Sequence, residues 1–335
     1  LFDPKMPFDP KVSFDPWAMP HAATASEMDI FHCFRLLLGR PPNREEWRGH
    51  ASRAGEPLDG VVASYVNSLE FARRDLAEAR SHDIERVTLD GFSIFVSPDD
   101  AAVGRYVRED NYERDVTAVF RRLLRPGMGV VDIGANIGYF TLLSAALVGA
   151  DGFVLAIEPN PRNARLLEAS RRANGFAQVV VSQTAAGRDT GLLVLNTSHS
   201  NGTTSAPPDK ADALLGSETV PSVRVDALVP GARRIDLIKA DVEGAEYNAL
   251  FGAREVIARD RPVIISEFSP NLMPGISGIS GPDYLRWLCD RGYALAVIEP
   301  DGTQGMAPDI DAVMAVHAAR GTDHIDIVAT PKSPG

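Results

Sequence analysis

The chain has 335 residues, 44% of them hydrophobic and 24% charged, and a formal net charge of -11. That length and composition fit a globular protein of two domains, or of one large domain with an appendage. The acidic balance argues against a general nucleic-acid binder, which neutralises phosphates with surplus Lys and Arg, and no apolar run reaches the roughly 20 residues that cross a bilayer.

The first residues repeat a short unit, Phe2-Asp3-Pro4, Phe8-Asp9-Pro10 and Phe14-Asp15-Pro16. Proline at this density blocks helix and central strand, so residues 1–25 are expected to form an extended arm, with docking to a partner through its Phe side chains as the functional alternative. No basic stretch followed by an apolar core opens the chain, so no signal peptide is expected. The two cysteines, Cys33 and Cys289, lie far apart and in no metal-ligand spacing, which points to a reducing cytoplasm rather than a disulfide framework.

Residues 26–82 read as a helical domain. Ser26 with Asp29 resembles an N-terminal cap, and Ile30, Phe34, Leu37 and Leu38 share one face. Gly39, Pro41 and Pro42 end that helix; Asn43 caps the next, which carries Trp47; a third holds Val61, Val62, Tyr65 and Val66; Ser68 opens a fourth. The wording FRLLLGRPPNREEW with SYVNSLEF resembles a small helical module that accompanies bacterial surface-layer proteins and glycan-modifying enzymes. Packing, homo-oligomerisation or partner docking suits it better than catalysis.

From residue 83 to 335 strands alternate with helices. Val87 to Val96 reads as a hairpin around Asp90-Gly91. A helix over 116–124, in which Arg121, Arg122 and Arg125 read as a solvated basic face, stops at Pro126-Gly127. Strands are expected at 130–133, 153–157, 179–181, 235–240, 263–266, 294–298 and 325–329, and helices at about 138–149, 161–174, 245–259 and 282–291. Such alternation implies an α/β fold with a mostly parallel sheet covered on both faces. The lack of a long helical pattern between the last two strands predicts that they pair antiparallel. The Gly/Ser/Thr/Pro-rich stretch from His199 to Ser222 reads as a lid or loop.

The sharpest chemical signal follows the first strand of that series. Asp132, Gly134, Ala135, Asn136 and Gly138 form a tight turn into a helix, where open α/β sheets bind ligands. Asn136 stands where glycine is common, and Asn tolerates a left-handed backbone. The next strand ends in Glu158, followed by Pro159 and Asn160; a carboxylate there can accept from both hydroxyls of a ribose. Two cofactors suit a Gly-rich turn plus a downstream acid. A nicotinamide dinucleotide expects G-x-G-x-x-G with pyrophosphate at the helix start, but Asp132 would repel pyrophosphate and favour a cationic methionine end. The turn is therefore read as a site for S-adenosylmethionine.

The runs DIGANIGYFT from Asp132, IEPNP from Ile157 and IDLIKADVEGAEYNALFGA from Ile235, with Tyr112-Glu113 and Glu267-Phe268, resemble the FkbM family of S-adenosylmethionine-dependent methyltransferases over about Val87 to Thr330. The resemblance implies a seven-stranded, mostly parallel Rossmann-like methyltransferase sheet after the small all-α domain, and methyl transfer to a hydroxyl of a sugar, glycan or natural product. It places Asp132, Gly134, Ala135, Asn136 and Gly138 in the cofactor loop, Glu158 at the ribose, and Asp241 at a strand tip facing the methyl group. Gln183 and Ala185 are expected near the adenine, and Tyr112 and Glu113 over the methionine end, with a helix-capping pair as the alternative for the latter two.

A hydroxyl acceptor needs a base. The candidates are Asp241, Glu243, Glu267 and His199; carboxylates must be raised by burial or crowding to serve, whereas an imidazole is matched to neutral pH. Asp241, Glu243 and Glu267 could instead gather a divalent cation, although nothing in the spacing demands one, and Glu243 and Glu246 also suit the start of a helix. The remaining histidines form no cluster. A nicotinamide-dependent oxidoreductase and a non-catalytic interaction protein that retains the fold are the alternatives from other classes.

Overall fold

The computed structural model describes residues 23–74, 84–98, 100–197, 202–208, 210–215, 217–307 and 309–332. Backbone contacts divide the chain into two units, Leu1–His82 and Asp83–Gly335. Most of the proposed arm, through residue 22, lies outside the described residues.

In the first unit, Ser26 and Asp29 form a capping box at the helix Glu27–His32, and the chain continues as a π-helical turn, Cys33–Leu38, that stops at Gly39. Asn43 and Glu46 form a second capping box at Arg44–Ala51. Each box satisfies backbone donors that a helix start leaves unpaired. Ile30, Phe34, Leu38, Val61 and Tyr65 form the core, and Tyr65 Oη lies 2.6 Å from His50 Nδ1. Arg40 ties the segments together by pairing with both Glu46 and Glu70.

The second unit opens with an antiparallel hairpin, β1 (Glu85–Leu89) and β2 (Phe92–Val96), turned at Gly91 with φ +95°. The main sheet begins with three parallel strands, β3 (Gly129–Ile133), β4 (Phe153–Ile157) and β5 (Val179–Ser182). β3 and β4 are buried along their whole length. Their side chains alternate between two apolar clusters: Val131, Ile133, Leu155 and Ile157 face one, Val130, Val154 and Ala156 the other. That is the period-two pattern of a strand covered on both sides.

β6 (Ala185–Ala186), β7 (Gly191–Thr197), β8 (Gly202–Ser205) and β9 (Thr219–Val223) form a small sheet in the order β6-β9-β7-β8. Two of its strands, β8 and most of β9, fall within the stretch expected to be a lid or loop. Ala185, Leu195 and Val220 supply the sheet's core, too small a core to leave a readable hydrophobic pattern in the sequence.

The main sheet then resumes with β10 (Leu237–Ala240), β11 (Val263–Phe268), β12 (Tyr293–Ile298), β13 (Gln304–Ala307) and β14 (Ile325–Pro331). Its order is β13-β12-β14-β11-β10-β3-β4-β5, so the expected seven strands are joined by β13 at one edge, making a mixed sheet of eight. β14 runs antiparallel to both β11 and β12. β12 and β14 pair antiparallel as expected, although a long helix, Ile310–Arg320, does lie between them after β13.

The helix expected over 245–259 is two helices, Glu246–Phe251 and Arg254–Asp260. The break follows from packing. At Gly252 an added Cβ would lie 2.1 Å from the carbonyl oxygen of Gly187, and the Asp226 carboxylate accepts the Glu255 and Val256 N–H groups at 3.1 and 3.0 Å, giving the second helix its own cap.

Candidate active site

The chain reverses direction across the sheet between β3 and β10: β3, β4 and β5 run outward to one edge, and β10 and β11 to the other. Such a switch point leaves a crevice at the carboxyl ends of the strands. There lies a cavity of about 430 Å³ bordered by the loops after β3, β4, β10 and β11, by residues 102–113 and by the start of β14.

Gly134 shows why the first loop needs glycine. Its φ is +80°, and a Cβ would stand 1.8 Å from the carbonyl oxygen of Asp241, so the loops after β3 and β10 touch through backbone. Asn136 also has a positive φ, 50°. Its N–H donates to Glu158 Oε2 at 2.8 Å, and the Asn160 N–H donates to Glu158 Oε1 at 2.8 Å. Glu158 thus ties the β3 loop to the β4 loop while facing the cavity. Burial raises its carboxyl to about 7 against the pull of those two N–H groups.

Asp132 is fully buried, and Thr141 Oγ1 donates to its Oδ2 at 2.5 Å. Its Oδ1 has no partner among the described residues, and burial is the main cause that raises its pKa. In the parallel register Asp132 sits beside Lys239. Lys239 is 3% exposed; its Nζ lies 2.6 Å from Asp241 Oδ2 and 4.5 Å from the centre of the Phe140 ring. Burial alone would lower the Lys239 ammonium, but Asp241, Glu113 and Asp132 more than reverse this and its pKa is raised. Burial works to raise Asp241, yet Lys239 holds it below the usual carboxylate range.

Glu267, at the end of β11, is pushed to about 11 by burial and by Asp241, Glu246 and Glu243, although Ser269 Oγ donates to its Oε1 at 2.7 Å. It is therefore a carboxylic acid at neutral pH, next to the carboxylate of Asp241. Glu113 is raised to about 7 by burial, with Lys239 opposing. Its backbone is left-handed, φ 37°, at the cap of the helix Arg114–Leu123, and its side chain makes no capping hydrogen bond. Tyr112 packs edge-on against Tyr139 at 5.1 Å.

Of the residues singled out from the sequence, Tyr112, Glu113, Asp132, Gly134, Ala135, Asn136, Glu158, Pro159, Ala185, Asp241, Glu243 and Glu267 line the cavity. Gly138, Asn160 and Gln183 are not among the lining residues. Gly138 is packed, a Cβ there lying 2.2 Å from Leu167 Cδ1; Asn160 acts through its backbone on Glu158 and its side chain caps the helix Pro161–Ala173. His199 lies outside the described residues. Among the described residues no group of three or more His, Cys, Asp or Glu is arranged to hold a metal ion.

A family model, the methyltransferase FkbM domain, matches residues 132–295. That match spans just under half of the chain. Among curated proteins none matches it. In structure it is similar to the methyltransferase FkbM from Methylobacillus flagellatus, at 16% identity and TM-score 0.39 over 89% of this chain and 58% of that one. It thus covers less than two thirds of the Methylobacillus protein's length. It is also similar to a SAM-dependent O-methyltransferase from Thermotoga maritima, at 11% identity and TM-score 0.38 over 76% and 88% of the two chains. A third is Aeropyrum pernix fibrillarin, solved with natively bound S-adenosyl-L-methionine, at 15% identity and TM-score 0.35 over 65% and 74%.

The FkbM domain match stops before β14, and several cavity residues lie outside it or passed unnoticed in the sequence. Asp323, His324 and Asp326 line the cavity from the start of β14. The rule that ligands sit at strand carboxyl ends misses them, because an antiparallel strand brings its beginning to that edge. Lys239 does carry a signal in the sequence: a lysine inside an apolar strand is seldom buried without a partner. Tyr106, Asn111 and Asn163 complete the walls, and nothing in their local sequence marks them.

Proposed function

We propose that this chain is an S-adenosylmethionine-dependent O-methyltransferase acting on a hydroxyl of a sugar, glycan or glycosylated natural product. The observation that carries the cofactor reading is Asp132, a fully buried carboxylate on the cavity wall whose Oδ1 lacks a partner among the described residues. A buried polar atom left unmatched is costly, and this one suits a cationic ligand while opposing the pyrophosphate of a nicotinamide dinucleotide. Glu158 would hold the ribose hydroxyls, the backbone of Gly134, Ala135 and Asn136 would border the nucleoside, Ala185 would lie at the adenine, and Tyr112 and Glu113 would cover the methionine end.

The bound cofactor supplies a methyl group on a sulfonium, a leaving group that needs no protonation. The chain's own residues then have to align the acceptor, exclude water and take up one proton. The acid of Glu267 and the carboxylate of Asp241 offer a donor and an acceptor side by side, an arrangement that suits a hydroxyl, which does both. We assign the helical unit a packing or docking role.

Isothermal titration with S-adenosylhomocysteine tests the cofactor reading; saturable heat is expected, and no heat with an unchanged melting temperature would sink it. Saturable binding of NADH instead would favour the oxidoreductase alternative. The acceptor is tested with methyl glycosides of hexoses and 6-deoxyhexoses, methyl-labelled S-adenosylmethionine and product mass. A gain of one methyl group is expected, and a non-catalytic binding protein would give none.

A further inference from the structure

The strand-tip carboxyls are poorly suited to take the acceptor's proton. Asp241 Oδ2 is engaged by Lys239 at 2.6 Å, and Glu267 already holds a proton at neutral pH. The loop before β14 offers a better group. Gly321 (φ +64°) turns the chain out of the helix Ile310–Arg320. Thr322 Oγ1 donates to the His324 carbonyl at 2.6 Å, and His317 Nε2 lies 3.4 Å from the Asp323 carbonyl. Within this braced turn His324 Nδ1 lies 2.9 Å from Asp323 Oδ1. A carboxylate only accepts, so this contact favours a hydrogen on Nδ1 and, in the neutral ring, leaves the lone pair on Nε2. The antiparallel register, Glu267 opposite Asp326, brings this dyad to the cavity edge, and Asp323, His324, Asp241, Asp326 and Glu267 line the same space. Burial first, then Glu113 and Asp241, raise Asp326 to about 7, and a proton taken up by His324 would place a positive charge close enough to oppose this and to favour the Asp241 carboxylate.

We propose that His324, oriented by Asp323, is the general base of the methyl transfer. The inference rests on the hydroxyl-methylating function proposed above. The acceptor O–H proton passes to His324 Nε2 as the oxygen lone pair forms the new bond to the methyl carbon. The carbon–sulfur bond breaks, its electron pair returns to sulfur, and the sulfonium becomes a neutral thioether. The imidazolium then releases its proton to water, which it can reach because its side chain is 44% exposed. The titratable groups that share the cavity with it are Asp323, Asp241, Asp326, Glu267, Glu113 and Lys239.

Two measurements on the full chain test this. Nitrogen-15 NMR of histidine-labelled protein should show neutral His324 as the Nδ1–H form, with that preference lost in Asp323→Ala, which removes the acceptor oxygen; an Nε2–H form, or an unchanged Asp323→Ala, overturns the dyad whatever the acceptor. With the methyl glycoside that wild type methylates fastest, His324→Ala should lower kcat by about 100-fold while its affinity for S-adenosylhomocysteine stays within about two-fold, and added imidazole should restore part of the rate. A His324→Ala variant with wild-type kcat and intact S-adenosylhomocysteine binding overturns the base alone. Failure of wild type to bind S-adenosylhomocysteine overturns the function on which it rests.

Discussion

Glu158 shows how one side chain does two jobs. Its two oxygens accept backbone N–H groups from two different loops, and the same carboxylate faces the cavity. Because burial raises it to about 7, it is only half ionised near neutrality, and a ligand that donates hydroxyls to it favours the ionised form. Affinity for S-adenosylhomocysteine should therefore rise as pH increases through about 7, and titrations of Glu158→Gln should show less of that rise. Loss of a hydrogen bond to a charged group costs about 1.5–3 kcal/mol, so Glu158→Ala should weaken S-adenosylhomocysteine at least about tenfold. Glu267→Ala should change it much less; equal losses in the two variants would show that the ribose assignment is wrong. Glu158 was legible in the sequence because it directly follows an apolar strand. Lys239 was equally visible as a lone cation in such a strand, but its partner Asp241 became evident only from the 2.6 Å contact.

At the scale of elements, the turn after β10 depends on one buried acid. Glu246 is fully buried, and its Oε1 accepts the N–H groups of Val242 and Gly244 at 3.0 and 3.1 Å. It thereby holds Glu243 at φ 55° and Gly244 at φ 96°. Glu246→Ala would leave two donors unsatisfied and should destabilise the protein by about 1–3 kcal/mol, read from denaturant midpoints. Glu246→Gln keeps an oxygen at the same place and should retain most of the stability; a loss as large as that of the alanine variant would refute this account. In the sequence Glu246 stands only as a helix-starting acid. The reason is that its partners are backbone N–H groups, which leave no mark on residue identity. The start of β14 was missed for a related reason: strand direction is a property of pairing, not of the strand's own residues.

Across the whole molecule, the cavity gathers carboxyls at the switch point of the sheet and keeps them from water. Glu113, Glu158 and Asp326 line it and Glu246 lies beneath its β10 turn, all four raised to about 7 by burial first. Each keeps its proton in the folded protein at pH values where the unfolded chain has lost it. The folded state therefore binds more protons between the ordinary carboxyl range and about pH 7, and their contribution to stability falls as pH rises through that window. Carboxyls held low, such as Glu168 at about 2 beside Arg171 and Arg172, act only at more acid pH. The melting temperature should be lower at pH 8 than at pH 5.5 by roughly 2 °C or more, and saturating S-adenosylhomocysteine should narrow the gap. A higher melting temperature at pH 8 would mean that these groups are not buried as described.

The sequence by itself determined the parallel core of the sheet, the capped helices of the first unit, and the loop from Asp132 to Gly138 with Glu158 beyond it. Those features are written in local patterns: apolar runs, capping residues and glycines where the backbone must turn. Tertiary structure alone decided that Gly134 meets the Asp241 carbonyl, that Lys239 lies among three carboxyls, and that an antiparallel β14 brings Asp323, His324 and Asp326 to the same cavity. Proton affinities at the site follow from burial and from charges brought together across long stretches of chain, and no short window of sequence contains either.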